Sequence, residues 1–458
     1  MSGTPGRDAY TVSEVVERPG FGVPLLKIIG LCFLLMVCDS YDVAALSFAA
    51  PALIKDWHLS PSSMGIVFSA GLFGLLVGSV AFGRLGDRLG RKRAIILGAL
   101  AFSVLTAATG LAASYEQLLA LRFLAALGLG GAVPNAVALI TEFAPQRLRI
   151  TAVGAIFAGY SVGGIVAGLS AAYIIPLHGW QMMFYAGGAF SLLTAIAFII
   201  LLPESLRYLV TVPSRAAEAL QVAAFLRPDL RFDAGTRVTS DNATAATTPS
   251  AGRLSDLFMG VLQFATPLIW LTYIASSMTV FSLSSWMPVA VEAVGLSRGS
   301  AALATSLLFA GSAVGGVVGG RFADRFGIAA VVAMAVLACP TVAAIGMLGG
   351  AGGLLFPVVF LAGCFAFGAQ TCLHGVVGSL YPTRIRANGV GWAIGIAKIG
   401  SMLGPYIGGL LIAGLTSQQL FMAAASPLIL VAVLAFALRV VLATSQVTAE
   451  QHAPMSVV

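Results

Sequence analysis

The sequence predicts an all-α membrane protein of twelve transmembrane helices, arranged as two six-helix halves that repeat one another. Three observations lead there. The 458-residue chain is 59% hydrophobic and only 9% charged, whereas a soluble domain keeps about a quarter of its residues charged. Its apolar runs reach about 20 residues, the length that crosses a bilayer's hydrocarbon core. Finally, "GRLGDRLG" at 83–90 returns as "GRFADRFG" at 320–327, an offset of 237 residues.

Taken in order, the runs cover 25–51, 62–83, 92–113, 116–142, 150–175, 180–202, 262–291, 299–320, 328–348, 354–381, 387–414 and 420–441. The chain divides into an N-terminal tail (1–24), a first half (25–202), a linker loop (203–261), a second half (262–441) and a C-terminal tail (442–458). The tail 1–24 is polar and lacks the apolar core and cleavage site of a signal peptide, so it reads as a retained tail. In the linker, "PESLRYLVTVPSRAAEALQVAAFLRPDLR" contains an amphipathic helix from about Ser214 to Phe225. The Ala/Thr/Ser-rich "DAGTRVTSDNATAATTPSAGR" reads as a mobile linker. Its "NAT" at 242–244 fits the glycosylation pattern, which carries no meaning in a cytoplasmic loop.

A net charge of +7 invites a nucleic-acid reading, but the placement of the charges excludes it. Of the 25 Lys and Arg residues, all but Lys55, Arg122, Arg298 and Lys398 fall on the tails, the linker and the loops of one face. By the positive-inside rule that face is cytoplasmic, with both termini on it, which makes this an inner-membrane, multi-pass chain whose partners include the lipid bilayer but no nucleic acid. Cys32, Cys38, Cys339, Cys364 and Cys372 all lie in apolar runs and read as small buried hydrophobes without disulfide or metal spacing. No nucleotide-binding motif, catalytic triad or metal cluster is legible. The chain therefore reads as no enzyme, with no catalytic or metal-ligating residues and no cofactor beyond protons.

The offset of 237 also takes Pro51 to Pro288, Gly74 to Gly311, Pro145 to Pro382, Arg147 to Arg384, Arg149 to Arg386 and Gly154 to Gly391. Parallel halves of this kind place a substrate site between them near the bilayer midplane. The repeat also serves as a control. Asp39 and Asp42 map onto Ser276 and Thr279, Arg122 onto Val359, and Lys398 back onto Ser161. Scaffold features recur in both halves, and these four charges do not.

Asp39 and Asp42 stand at i and i+3 in "VCDSYDVAAL", on nearly one helix face. Burying an ionised carboxylate at mid-membrane costs about 2.5–3.5 kcal/mol on insertion scales. Two together repel, so the pair is suited to taking and releasing a proton near neutral pH. The plainer alternative is that both merely pair with Arg122 to hold helices together. Arg122 is always cationic and either takes part in proton coupling or serves as a fixed counter-ion. Lys398, alone in "GWAIGIAKIGSMLGP", needs an anionic partner: a first-half aspartate, the substrate's carboxylate, or, if it snorkels, the interface. His374, Gln370 and Asn135 are polar residues within spans, suited to substrate contact or to helix–helix hydrogen bonds. Tyr41, Trp286 and Trp392 can stack on an aromatic substrate or simply pack.

Several stretches carry a family likeness. "GRLGDRLGRKR" resembles the signature loop of the major facilitator superfamily, and "GRFADRFG" its second-half echo. "RFLAALGLGG" resembles its fourth-span arginine motif and "LPESLRYL" its mark after the sixth span. "DSYDVAALSFAAPAL", "SSWMPV" at 284–289 and "YPTRIRANGVGWAIGIAKIGSMLGP" at 381–405 are similar to the aromatic acid:proton symporters within it. The likeness spans about residues 25–441. It departs at Ser40 and Ser47, where that family usually has Gly, and at Lys398, where it usually has Arg.

The resemblance implies a major facilitator fold and a secondary transporter, functional as a monomer, that imports an aromatic carboxylate of the hydroxybenzoate or benzoate class with protons by alternating access. It implies proton coupling at Asp39, Asp42 and Arg122, and substrate contact at Lys398, Tyr41, Asn135, Trp286, Gln370, His374 and Trp392. It also implies a gating latch made of Gly83, Asp87, Arg88, Gly90, Arg91 and Glu142, with Asp324 and Arg325 in the echo. In this latch Asp87 approaches the N-terminal end of the eleventh span, where a helix dipole favours a carboxylate, and Glu142 approaches Arg88 or Arg91. The rival functions are a proton-coupled exporter of drugs or metabolites and a non-transporting membrane sensor. A sensor needs a folded output domain, and the Ala/Thr-rich linker is a poor candidate for one.

Overall fold

The computed structural model describes residues 9–17, 22–230, 232, 235–240, 254–348, 352–382 and 385–451. Among them, twelve helices are long and apolar enough to span a membrane. The first six are Val23–Asp56, Pro61–Leu89, Arg91–Thr109, Tyr115–Phe143, Gln146–His178 and Gln181–Leu201. The second six are Leu262–Ala293, Arg298–Phe326, Ile328–Leu348, Leu355–Leu380, Asn388–Ile412 and Ser417–Thr444. Each coincides with one predicted run. Helices are the form these runs must take, because a chain in hydrocarbon has to satisfy every backbone N–H and C=O internally. Arg7, Arg18, Arg231, Arg253 and Arg384, which contribute to the charge asymmetry, and the "NAT" at 242–244 lie outside the described residues.

The chain packs as two compact units. One comprises Met1–Asp42, Ala70–Gly164 and Gln181–Thr248; the other comprises Val43–Ser69, Ile165–Trp180 and Pro249–Val458. The division passes through the first, second and fifth spans.

The internal repeat reappears as packing. In the first unit, Gly74 and Gly78 of the second span lie against the carbonyl oxygens of Phe123 and Leu127 in the fourth, and Gly163 of the fifth lies against that of Val37 in the first. In the second unit, Gly311 and Gly315 lie against the carbonyl oxygens of Phe360 and Cys364, and Gly400 against that of Ile274. Every one of these second-unit pairs is its first-unit counterpart moved by 237 residues. At each, a Cβ would collide with a backbone carbonyl. Where lipid supplies no hydrophobic drive between helices, such close approach is what holds them together.

The first unit also contains structure outside the spans. A strand β1 (Ala9–Thr11) runs parallel to β2 (Arg237–Thr239), with Tyr10 opposite Val238. Thr11 caps the following short helix, Val12–Val16, in a capping box with Glu14. Val12, Val15 and Val16 are buried in the same core as Leu206, Leu209, Val222, Ala223 and Leu226. The last three belong to the helix Ala216–Leu226, the amphipathic helix expected in the linker. Arg227 donates to the carbonyls of Glu14 (3.0 Å) and Glu17 (3.3 Å), and the Gln146 N–H donates to Glu17 Oε1 at 2.9 Å. Of the segment 233–253, expected as one mobile linker, only 235–240 lie within the described residues, and there Arg237–Thr239 form a paired strand. Its β-branched "RVT" finds a partner edge in the N-terminal tail, which composition alone does not reveal.

Candidate functional site

The first unit holds the acid pair. Asp42 receives a bidentate pair from Arg122, through Nη1 at 2.9 Å and a shorter contact from Nη2, and a third hydrogen bond from Thr106 Oγ1 at 3.2 Å. Both charged side chains are buried, at 3–4% exposure. The Arg122 guanidinium also lies over the Phe184 ring, 5.6 Å from its centroid. Its Nε is buried with no hydrogen-bond partner among the described residues. Asp39 is buried one turn away and lies near enough to Tyr160 for its charge to act on the phenol. Of the two acids, Asp42 is thus the one that Arg122 grips. Tyr41 donates to the Met183 carbonyl at 3.4 Å, and its ring occupies the space that Gly187 leaves open. It packs the first span against the sixth.

The second unit carries a separate polar group. Lys398 is half-buried in the eleventh span, near enough to His374 of the tenth for its charge to act on that ring. His374 Nδ1 is 2.9 Å from the hydroxyl of Tyr273 in the seventh span. Gln370, one turn before His374, donates to Ser277 Oγ at 3.2 Å. Trp392 is 43% exposed and stacks on Trp270 with ring centroids 6.2 Å apart.

Two expected substrate contacts, Trp286 and Asn135, make packing contacts within their own units. Trp286 is buried, donates its indole N–H to the Pro405 carbonyl at 2.8 Å and meets Phe68 edge-on. Its single donor is thereby used. Asn135 donates to the carbonyls of Phe82 (3.1 Å) and Gly131 (2.8 Å) and accepts from Arg91 at 3.3 Å. Its Oδ1 reaches Arg91 across the space that Gly86, lacking a side chain, leaves open.

That loop is a dense ionic cluster. Arg91 pairs with Asp87 at 2.7 Å and with Glu142 at 3.6 Å, so the partner of Glu142 is Arg91. Ser205 Oγ donates to Glu142 as well. Arg88 is exposed, and its carbonyl accepts from the Tyr208 hydroxyl at 3.1 Å. Gly90 has φ +100°, a conformation that favours glycine, and a Cβ there would strike the carboxylate of Glu204. Glu204 is fully buried. Its Oε1 accepts from the backbone N–H groups of Lys92 and Ser205, both at 2.9 Å, and its Oε2 lies 3.9 Å from Arg215. It sits at the start of the third span, where the helix dipole favours an anion. In the echo, Gly327 likewise has positive φ, but nothing stands within 4 Å of its missing Cβ. Asp324 and Arg325 are exposed, with Arg325 over the Phe326 ring.

Sequence reasoning missed Glu204, Thr106, Phe184 and Tyr273 as members of these clusters. Glu204 left a signal, an acid directly after an apolar run in "LPESLRYL". The other three are ordinary span residues whose roles depend on which neighbouring helix they meet.

Comparison with known proteins fits this architecture. The model of the Major Facilitator Superfamily matches residues 32–292 and 269–455. The gallate transporter of Pseudomonas putida is 38% identical over 384 residues, covering 83% of this chain and 84% of its own. The 4-hydroxybenzoate transporter PcaK of Pseudomonas aeruginosa is 36% identical over 387 residues, covering 84% and 86%. Among solved structures, the partially occluded inward-open xylose transporter XylE of E. coli superposes with a TM-score of 0.69 at 16% identity, covering 90% of this chain and 97% of that one. A bacterial homologue of the lysosomal transporter Spinster superposes at 0.70 with 18% identity, covering 92% and 98%. The chain belongs to the Major Facilitator Superfamily of membrane transporters.

Proposed function

We propose that the protein imports aromatic carboxylates of the hydroxybenzoate or benzoate class together with protons, across the inner membrane, by alternating access. The substrate class is supported by the relatives, which are transporters of gallate and of 4-hydroxybenzoate over more than four fifths of this chain. The observation that carries the coupling is the buried Asp42–Arg122 pair, with Asp39 one turn away. Such a pair is stable only while the carboxylate is charged, since a buried guanidinium without its counter-ion is costly. Protonating Asp42 removes the charge that holds Arg122 and frees the guanidinium to move. Proton uptake and helix rearrangement thereby become one event.

Lys398 supplies the positive charge for the substrate's carboxylate. A monoanion carried with one proton is electroneutral and draws only on the pH gradient. With a second proton it also draws on the voltage, worth about 2.3 kcal/mol per charge at 100 mV. The excess of Lys and Arg on one face orients both termini toward the cytoplasm.

The test is uptake of labelled 4-hydroxybenzoate, benzoate and gallate into proteoliposomes, with and without an imposed pH gradient. Accumulation that follows the gradient in the native protein, and is lost in Asp39→Asn and Asp42→Asn, is the expected result. Gradient-driven uptake at normal rates in both variants overturns the coupling. Failure to take up any of the three acids overturns the substrate class.

A further inference from the structure

Tyr273, His374 and Lys398 come from three different spans of the second unit, and the hydrogen bond between the first two assigns the donor on the third side of the group. The Tyr273 side chain is fully buried, and its hydroxyl has one hydrogen-bond partner among the described residues, His374 Nδ1 at 2.9 Å. A buried hydroxyl must donate somewhere, so Tyr273 donates and Nδ1 accepts. In the neutral imidazole this leaves the proton on Nε2, as a donor. The two rings also touch, with centroids 5.3 Å apart, so the imidazole is held by a packing contact as well as by a hydrogen bond.

Nε2 makes no hydrogen bond to protein among the described residues, and the His374 side chain is exposed. An N–H turned into hydrocarbon is costly. An ionisable residue within a span therefore faces a water-accessible surface in the usual case. Lys398 is close enough for its charge to reach the ring. The group thus offers two separate donors, a cation and a fixed neutral N–H. An ammonium with three donors can satisfy a carboxylate by itself. The directional N–H beside it suits a second, uncharged oxygen on the same ligand.

We propose that His374, oriented by Tyr273, receives the ring hydroxyl of the substrate, so that hydroxylated benzoates bind in preference to benzoate itself. This rests on the reading that the cargo is an aromatic carboxylate. Tyr273 is a positioning residue: it fixes which nitrogen carries the proton and where that proton points. A site built to hydrogen-bond a hydroxyl discriminates against the analogue lacking it, because its own donor is then left unpaired.

The experiment is calorimetric binding of 4-hydroxybenzoate and benzoate to the purified full-length protein in nanodiscs, comparing the native chain with Tyr273→Phe and His374→Leu. The native protein should prefer 4-hydroxybenzoate by about tenfold, one net hydrogen bond. Both variants should bring the ratio to within about threefold. His374→Leu alone decides the matter if Tyr273→Phe does not fold. Equal native binding of the two acids, or an unchanged ratio in the variants, overturns the proposal and leaves the cargo reading intact. Equal weakening of both acids shows that His374 serves the carboxylate and also overturns it. Native protein that binds neither acid overturns the cargo reading and this inference together.

Discussion

The carboxylate of Glu204 fills the space where a side chain at Gly90 would stand, and Gly90 holds the φ of +100° beside the Lys92 N–H, which donates to that carboxylate at the start of the third span. Glycine and acid are one device: the backbone turns sharply because the residue lacks a Cβ, and the acid binds the exposed helix start. Gly90→Ala should therefore destabilise the protein by at least about 1–3 kcal/mol from backbone strain alone. Gly327→Ala should cost less, because its missing Cβ faces open space. Thermal unfolding of the two variants in detergent compares them directly, and equal shifts would show that the Glu204 contact contributes nothing.

Asp42→Asn should lower stability by about 3–5 kcal/mol, because it leaves the buried Arg122 without the carboxylate that grips it. Adding Arg122→Gln to that variant should recover much of the loss without restoring transport. A double-mutant cycle on unfolding midpoints measures this, and strict additivity of the two changes would argue against a coupled pair.

Lys398→Ala should weaken binding of the transported acid by about 2–5 kcal/mol, with the lower end favoured because the side chain is only half-buried. Lys398→Arg should keep transport. Near-native affinity in the alanine variant, read by calorimetry, would move the anion site to Arg122.

Asp87 is 65% exposed and pairs with Arg91 at 2.7 Å, so it belongs to the exposed ionic cluster rather than to the buried frame. Asp87→Asn should slow turnover severalfold and leave substrate affinity nearly unchanged. A large loss of affinity at a normal rate would place Asp87 in the binding site instead.

Val15 is buried between the short N-terminal helix and the linker helix. Val15→Asp should destabilise that packing by at least about 2 kcal/mol through an unpaired buried charge. Hydrogen exchange of the amides in 216–226 reports the outcome, and unchanged protection would mean that the tail only rests on the linker.

The twelve spans were legible in the sequence because hydrocarbon leaves a chain so few options. A run of about 20 apolar residues has to be helical, and its ends are marked by charge. The repeat was legible for a related reason: glycines that let two helices touch cannot drift without a clash, so Gly74 and Gly311 keep both their offset and their carbonyl partners. The four unrepeated charges, Asp39, Asp42, Arg122 and Lys398, also stood out as departures from a duplicated scaffold. Tertiary structure alone decided who meets whom. Arg122 could have held either aspartate or both, and it grips Asp42 because Thr106 and Phe184 shape that side of the pair. Asn135 and Trp286 looked like cavity residues, yet their polar atoms are consumed by neighbouring backbone and by Arg91. A polar residue's type tells what bonds it can make; which bonds it makes depends on the helices that close around it.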